Sequence, residues 1–453
     1  MYLHKINIQN FKNIGEAHVE FSPALNCISG DNGEGKTNLL DAIFYLSMTR
    51  SSTGSSEQYV RTIGEKTMVV SGEYVGGDGV ESLVAVMLDG EAKQVRLNKK
   101  NYTKFSDHIG KFPIVMISPA DTSLINESAE ARRRFMNMML SQTDREYLRA
   151  LQSYNKLLLY RNRLLKEEGV NADLLDTITF KMTPFATYIY DKRRELCEGL
   201  QTLAAEYYKR LSDGKEEISL SYQSDLQKAP LDELMAHNLE RDTILKYTSA
   251  GVQRDEIVFK MNGSPIKVCG SQGQQKTFLL AVKLAQFVLM RRHYGFAPIL
   301  LLDDVFDKLD SGRVEFLLKT VASEDFGQIF VTDCNKVRLR SIVAGMEVDS
   351  RMFTVKKGVF AEEGEESGGG AAEGGDGAGG STAKVGDANG GEAADDGDGE
   401  DCSAAGGGMK EDEAGDGGAG EGESVAEGAD ISGGESTAED GDVNGGEPAV
   451  EEE

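Results

Sequence analysis

The stretch Gly30-Asp31-Asn32-Gly33-Glu34-Gly35-Lys36-Thr37 limits what this chain can fold into more than any other, because it satisfies G-x-x-x-x-G-K-[ST] at every position. Its surroundings fit as well. Leu25-Asn26-Cys27-Ile28 reads as a short strand before it, and Asn38 to Leu46 carries Leu39, Leu40, Ile43, Phe44 and Leu46 on one broad helical face after it. A strand–loop–helix unit of this kind cradles phosphate. Glycines let backbone N–H groups converge on phosphate oxygens, and the helix N-terminus adds a positive dipole. Lys36 neutralises the β/γ charge, and Thr37 offers a hydroxyl to Mg²⁺. Gly30, Asp31, Asn32, Gly33, Glu34, Gly35, Lys36, Thr37 and Asn38 are therefore the candidate nucleotide-binding set.

Such a loop needs a carboxylate at the end of a neighbouring strand to hold the metal. Ile299-Leu300-Leu301-Leu302-Asp303-Asp304 supplies one after four apolar residues. Asp303 is the candidate Mg²⁺ ligand together with Thr37. Asp304 is the candidate group that orients or deprotonates the attacking water, so Lys36, Asp303 and Asp304 form the candidate catalytic set. More than 260 residues separate the two elements. A compact GTPase or kinase-like domain cannot hold that many between them, so the loop belongs to a head split by a large insertion. A third segment, Gly270-Ser271-Gln272-Gly273-Gln274-Gln275, opens a helix. Taken alone it is explained equally well as a capping box, Ser271 with Gln274, in front of a buried stripe of Phe278, Val282, Ala285 and Leu289.

Composition divides the chain unevenly. Residues 361–453 hold 29 of the 75 Asp and Glu, 2 of the 49 Lys and Arg, 28 of the 52 Gly and no aromatic residue, which leaves 47 basic against 46 acidic side chains before them. The net charge of −26 thus belongs to the tail, and the acidity of the whole chain does not exclude a nucleic-acid partner for the body. A segment of that composition cannot bury enough apolar surface to offset its chain entropy, so 361–453 is expected to be a disordered acidic tail. The body reads as an α/β fold: an N-terminal lobe over 1–120 with the P-loop, a helical lobe inserted over 121–250, and the C-terminal part of the ATPase lobe over 251–360. In the insertion, Asp144 to Lys166 and Ile178 to Leu211 are long helical runs, the second interrupted by Pro184. Short wholly apolar strands at Ile299 to Leu302 and Gln328 to Thr332 predict a parallel sheet covered on both faces. The five cysteines lie far apart without a CxxC, which suits a reducing cytoplasm, and no apolar run reaches the ~20 residues of a membrane span. The expected location is cytoplasmic, with no membrane contact.

The P-loop, the Ser271-Gln272-Gly273-Gln274-Gln275 helix start, and Leu300-Leu301-Leu302-Asp303-Asp304 followed by Lys308-Leu309-Asp310 resemble the RecF family of recombination-repair ATPases, whose heads are related to ABC and SMC ATPases. Asn10-Phe11-Lys12-Asn13, Ser118-Pro119-Ala120-Asp121, Arg132-Arg133-Arg134-Phe135 and Gly251-Val252-Gln253-Arg254-Asp255 extend the likeness over about 1–360, without the tail. The resemblance implies an ABC/SMC-type head in which Ser271 and Gly273, with Gln274 beside them, contact the γ-phosphate held by a second subunit. ATP and Mg²⁺ are the implied cofactors, and the implied state is a homodimer formed with ATP. It also implies binding to gapped or single-strand–duplex junction DNA, slow DNA-stimulated ATP hydrolysis, and help for RecO and RecR in loading RecA. This chain departs from the family pattern in three places: Asp307-Lys308-Leu309-Asp310, Gln253, and Asn126-Glu127-Ser128-Ala129. The switch residue is open between Thr332 with Asp333 and a plain strand-end cap. Candidate DNA patches are Lys93, Arg96, Lys99, Lys100, Tyr102 and Lys104 in a hairpin, and Lys156, Arg161, Arg163 and Lys166 with Lys192, Arg193 and Arg194 on the helices. The alternative is a nucleotide-switched scaffold that recruits partner proteins without touching DNA.

Overall fold

The computed structural model describes residues 1–363 apart from 55, 168–170, 213, 307–312, 315, 318–319, 321–325 and 346–347. The 307–310 departure and the acidic tail beyond 363 lie outside the described residues. The chain starts with the hairpin β1 (Tyr2–Phe11) and β2 (Ile14–Glu20), then β3 (Leu25–Ser29) and helix α1 (Lys36–Met48). Next come β4 (Thr67–Val75), β5 (Glu81–Asp89), β6 (Ala92–Leu97), β7 (Lys100–Asn101) and β8 (Ile114–Ile117). Strands β2-β1-β4-β5-β6-β7 form one antiparallel sheet. Its inner face is the alternating set Met68, Val70 and Tyr74 on β4 and Val84, Val86 and Leu88 on β5, all buried.

The helical part follows: α2 (Ser123–Asn126), α3 (Ala129–Thr143), α4 (Arg145–Lys166), α5 (Ala172–Leu211), β9 (Ile218–Gln223), α6 (Leu231–His237) and α7 (Leu239–Leu245). The chain then returns through β10 (Glu256–Met261), β11 (Ser264–Pro265), α8 (Ile266–Cys269) and α9 (Gln272–Tyr294). It ends with β12 (Ile299–Asp303), β13 (Ile329–Asp333), α10 (Lys336–Ala344), β14 (Ser350–Lys356) and β15 (Val359–Glu362).

The second large sheet runs β15-β14-β3-β13-β12-β8, parallel except for the β15 edge. Its strands come from both ends of the chain, so the two ATPase segments complete one sheet. Strand β12 is buried at all five residues because both its faces are covered. Ile299 and Leu301 pack with α1 and the antiparallel sheet, whereas Leu300 and Leu302 pack with the helices. Helix α1 lies between the two sheets and is buried from Leu39 to Met48. Its buried Asp41 is paired by Lys12 Nζ at 2.7 Å and accepts from Ser51 Oγ at 2.7 Å.

Three details depart from the sequence reading. Helix α5 is continuous through Pro184 for 40 residues. Proline removes one i→i−4 bond, yet Met182, Ala186 and Ile189 around it are fully packed, and that burial outweighs the lost bond. Strand β9 lies inside the expected helical insertion and pairs antiparallel with β10, so a three-stranded sheet β11-β10-β9 crosses the expected boundary at 250. Ala361 and Glu362 belong to β15. Glu363, just beyond, accepts from Arg340 Nη2 at 3.0 Å and from Thr354 Oγ1 at 3.0 Å, so the body continues past the expected start of the tail at 361.

Candidate nucleotide-binding site

The parallel strands bring their carboxyl ends to one edge of the sheet, where a loop and a helix N-terminus can meet acidic strand ends. From β3 the chain turns through 30–35 into α1. Gly33 and Gly35 have φ of 84° and 118°, conformations that L side chains rarely adopt, and a Cβ on Gly30 would lie 2.6 Å from the Val355 carbonyl oxygen. The loop is held from outside its own segment. Asn13 Nδ2 donates to the Gly33 carbonyl at 3.0 Å, and Asn13 Oδ1 accepts from Asn38 Nδ2 at 2.7 Å. The β14–β15 turn donates Gly358 N–H to the Glu34 carbonyl at 2.8 Å and Lys357 N–H to the Glu34 carboxylate.

Lys36 is buried at the base of this loop. Its ammonium donates to the carbonyls of Gly30 at 2.6 Å and Asp31 at 3.0 Å, and lies 3.7 Å from Cys334 Sγ. Thr37 Oγ1 sits 3.0 Å from both carboxylate oxygens of Asp303. Thr332, opposite Asp303 in the β12–β13 register, donates to Asp303 Oδ1 at 2.7 Å and accepts the Asp304 N–H at 3.1 Å. Asp304 has φ of 47°, so the strand bends sharply where the acidic pair begins. Burial pushes the Asp303 carboxyl above its ordinary range. The hydroxyls of Thr332 and Thr37 pull against that shift, and the neighbouring Asp304 adds to it.

Asn32, Gly33, Gly35, Lys36, Thr37, Asn38, Asp303 and Asp304 line one open cleft. Of the rest of the candidate set, Gly30 and Asp31 do not line it but hold Lys36 through their carbonyls, and Glu34 is tied to the β14–β15 turn. Hard oxygen donors, a threonine hydroxyl and a desolvated carboxylate, suit Mg²⁺. Ser271, Gly273 and Gln274 are not in this cleft. They stand at the tip of α9, where Ser271 is exposed and closes a capping box: its Oγ accepts Gln274 N–H at 3.3 Å, and its own N–H donates to Gln274 Oε1 at 2.8 Å. Capping uses the oxygen of Ser271 as acceptor and leaves its hydroxyl proton to donate elsewhere.

Sequence reasoning missed the contributions of Asn13, Cys334 and the Lys357–Gly358 turn. Cys334 donates to Asn32 Oδ1 at 3.0 Å and sits beside Lys36. Asn13 belongs to the Asn10–Asn13 segment and the others to no local motif, and only the fold brings all of them to the loop. Three candidate DNA contacts are spent internally. Arg161 is buried and bonded to Asp242 at 2.8 Å, Arg193 is buried and bonded to Asp255 at 2.6 Å, and Lys93 is held by Glu57 and the Thr49 carbonyl. Lys99, Lys100, Lys104, Lys156, Arg163 and Lys166 are exposed. Among the described residues, no helix is long and apolar enough to cross a membrane.

The model of the RecF/RecN/SMC N terminal domain matches residues 2–360. The DNA replication and repair protein RecF of Parabacteroides distasonis is 43% identical over 358 residues, 79% of this chain and 98% of that protein. The RecF of Porphyromonas gingivalis is 42% identical over 361 residues, 79% of this chain and 99% of that protein. Among solved structures, the recombination mediator protein RecF with ATP, in the RecFOR pathway, superposes with a TM-score of 0.73 at 30% identity, over 80% of this chain and 97% of that one. An Smc head bound to the C-winged helix domain of ScpA gives a TM-score of 0.50 at 16% identity, over 80% of this chain and 97% of that one, a likeness of fold alone.

Proposed function

The chain belongs to the RecF family, within the RecF/RecN/SMC group of P-loop ATPases, and from that premise we propose that it is an ATP-driven, DNA-binding dimer acting in recombinational repair and replication restart. One observation carries the reading. The candidate catalytic residues Lys36, Asp303 and Asp304 converge with Thr37 on one cleft, while the candidate signature residues, an exposed Ser271 and a half-buried Gly273, stand elsewhere at a helix tip. A γ-phosphate in the cleft would be capped by the Ser271 hydroxyl and α9 dipole of a second copy, which makes ATP a ligand of the dimer and not of the monomer. Lys36 would exchange the carbonyls of Gly30 and Asp31 for phosphate oxygens. Thr37 and Asp303 would hold Mg²⁺, which when bound neutralises β/γ-phosphate charge. Asp304 would orient the attacking water, and Thr332 would couple the two aspartates through one hydroxyl.

On this reading 1–120 and 251–363 are the two parts of one ATPase lobe, and 121–250 is largely the helical lobe. DNA at gaps or junctions is bound through phosphate contacts, for which the exposed Lys99, Lys100, Lys104, Lys156, Arg163 and Lys166 are available. RecR- and RecO-like proteins are the proposed partners in loading RecA, with weak DNA-stimulated turnover. The scaffold reading draws on one specific observation, the internal pairing of Arg161, Arg193 and Lys93.

The test is sedimentation with and without ATP and gapped DNA, joined to a mixing experiment. Lys36→Ala and Ser271→Arg should each abolish ATP-dependent dimers and hydrolysis. A mixture of the two should regain activity, because one of the two composite sites in a mixed dimer is then intact. A mixture as inactive as its components would end the trans reading. Dimerisation with ATP but no response to gapped DNA would favour the scaffold.

A further inference from the structure

Away from the nucleotide cleft, α5 and α6 enclose a groove of about 500 Å³. Its apolar wall is Phe180, Pro184 and Leu239, and Phe180 is 79% exposed, unusual for an aromatic ring in a long helix. Its rim carries the exposed carboxylates Asp176, Asp232 and Glu233, none with an ion-pair partner among the described residues. Among the described residues, the one cation that lines the groove, Arg161, is 1% exposed and already neutralised by Asp242. The groove therefore joins an exposed aromatic ring to three unpaired carboxylates.

We propose that this groove docks a protein segment that presents an apolar side chain flanked by lysine or arginine. The charge of the rim selects that occupant. The chain's own tail, with 29 acidic and 2 basic side chains beyond 360, has the wrong sign, and so has nucleic acid. A cationic segment meets both features: its apolar side chain covers Phe180 and Pro184, and its ammonium or guanidinium groups pair with Asp176, Asp232 and Glu233. The inference is independent of the nucleotide reading, since no residue of the cleft takes part.

The chain has no tryptophan, so Phe180→Trp places a single fluorescent reporter in the groove of the full-length protein. The probes are two synthetic peptides with a central Leu-Phe pair, one flanked by lysines and the other by glutamates. The lysine peptide should shift the emission to the blue and saturate, and it should bind about tenfold more tightly than the glutamate peptide at low salt. Asp232→Lys with Glu233→Lys in the same background should invert that preference while ATP binding stays unchanged and a single cooperative melting transition, lowered by the loss of two acidic residues from the first turn of α6, is retained. Equal affinity for both peptides, or a preference that survives charge reversal, overturns the proposal. A single-stranded oligonucleotide that shifts the reporter as strongly as the lysine peptide overturns it too, in favour of a nucleic-acid groove.

Discussion

Asp303 shows how one side chain can trade stability for function. Its carboxylate is 4% exposed, and burial raises its folded pKa above the unfolded value despite donations from Thr332 and Thr37. The sign follows from linkage. A carboxyl with a raised folded pKa binds more protons in the folded state than in the unfolded one, so stability falls as pH climbs from the unfolded pKa through the folded one. At neutral pH the ionised Asp303 is thus a net cost to the ligand-free fold. Asp303→Asn removes the charge and keeps an amide oxygen to accept from Thr37 and Thr332. The expected result is a higher melting temperature than wild type at pH 7 without nucleotide, a gain that shrinks as pH is lowered into the carboxyl range, and hydrolysis lost by at least about a hundredfold. Calorimetric melting across pH with a phosphate-release assay checks both halves; a variant less stable than wild type at pH 7 would contradict the linkage. At this scale the sequence was informative where the chemistry is local. Loop glycines, Lys36 and Thr37 sit within eight residues, and their spacing alone predicts the loop and helix start that the fold shows. Thr332 could not be told from a strand-end cap, because its bond to Asp303 depends on β12 and β13 being neighbours. Cys334 gave no signal at all.

Among elements, the legible ones were those whose burial is one-sided or complete. The all-apolar β12, the capping box of α9 and the broad apolar face of α1 were read correctly because each pattern has one stable solution. Strand β9 was missed because Ile218–Gln223 buries only Ile218 and Leu220, too short an alternation to stand out beside 40 helical residues. Arginines were misjudged for a related reason, since a guanidinium on a long helix reads as surface unless its counter-charge is known. Arg193 of α5 joins three elements. It donates to the Asp255 carboxylate at 2.6 Å and the Val252 carbonyl at 2.7 Å before β10, to Asn137 Oδ1 at 2.9 Å on α3, and to Tyr147 on α4 at 3.1 Å. Burial pushes the Asp255 carboxyl up, and Arg193 opposes that shift. Arg193→Met would leave Asp255 buried beside Tyr222 without its cation, an expected loss of about 3–5 kcal/mol in urea unfolding. Adding Asp255→Leu should recover most of it, because the isolated charge is what costs. A double variant no better than the single one would show that the hydrogen bonds to Asn137 and Val252 matter more than the charge pair.

The whole molecule poses a problem of charge that no single element answers. Residues before 361 are nearly balanced, whereas 361–453 hold 29 acidic and 2 basic side chains on the same chain as the candidate DNA-binding cations. A tethered polyanion raises the local concentration of negative charge around those cations, so it competes with DNA phosphates whenever the two lie within a Debye length. Truncation must respect the body, because Glu363 accepts from Arg340 and Thr354 and pairs with Lys336 at 2.5 Å. The clean variant therefore removes 364–453, not 361–453. It should bind gapped duplex at least about threefold more tightly than the full chain at roughly 50 mM salt, with a steeper dependence on salt concentration, and the two should converge by roughly 0.3 M as screening removes the competitor. ATP binding should not change, since among the described residues the cleft is lined from within 32–38 and by Asp303 and Asp304. Fluorescence anisotropy over that salt series decides the matter: equal affinities at low salt would leave the tail without a role in DNA competition, and a loss of affinity on truncation would mean that it assists binding. If the competition holds, the idle protein is kept off the long duplex of the chromosome by its own charge. Only sites that add ATP-dependent dimer contacts to the phosphate contacts then recover the binding that the tail takes away.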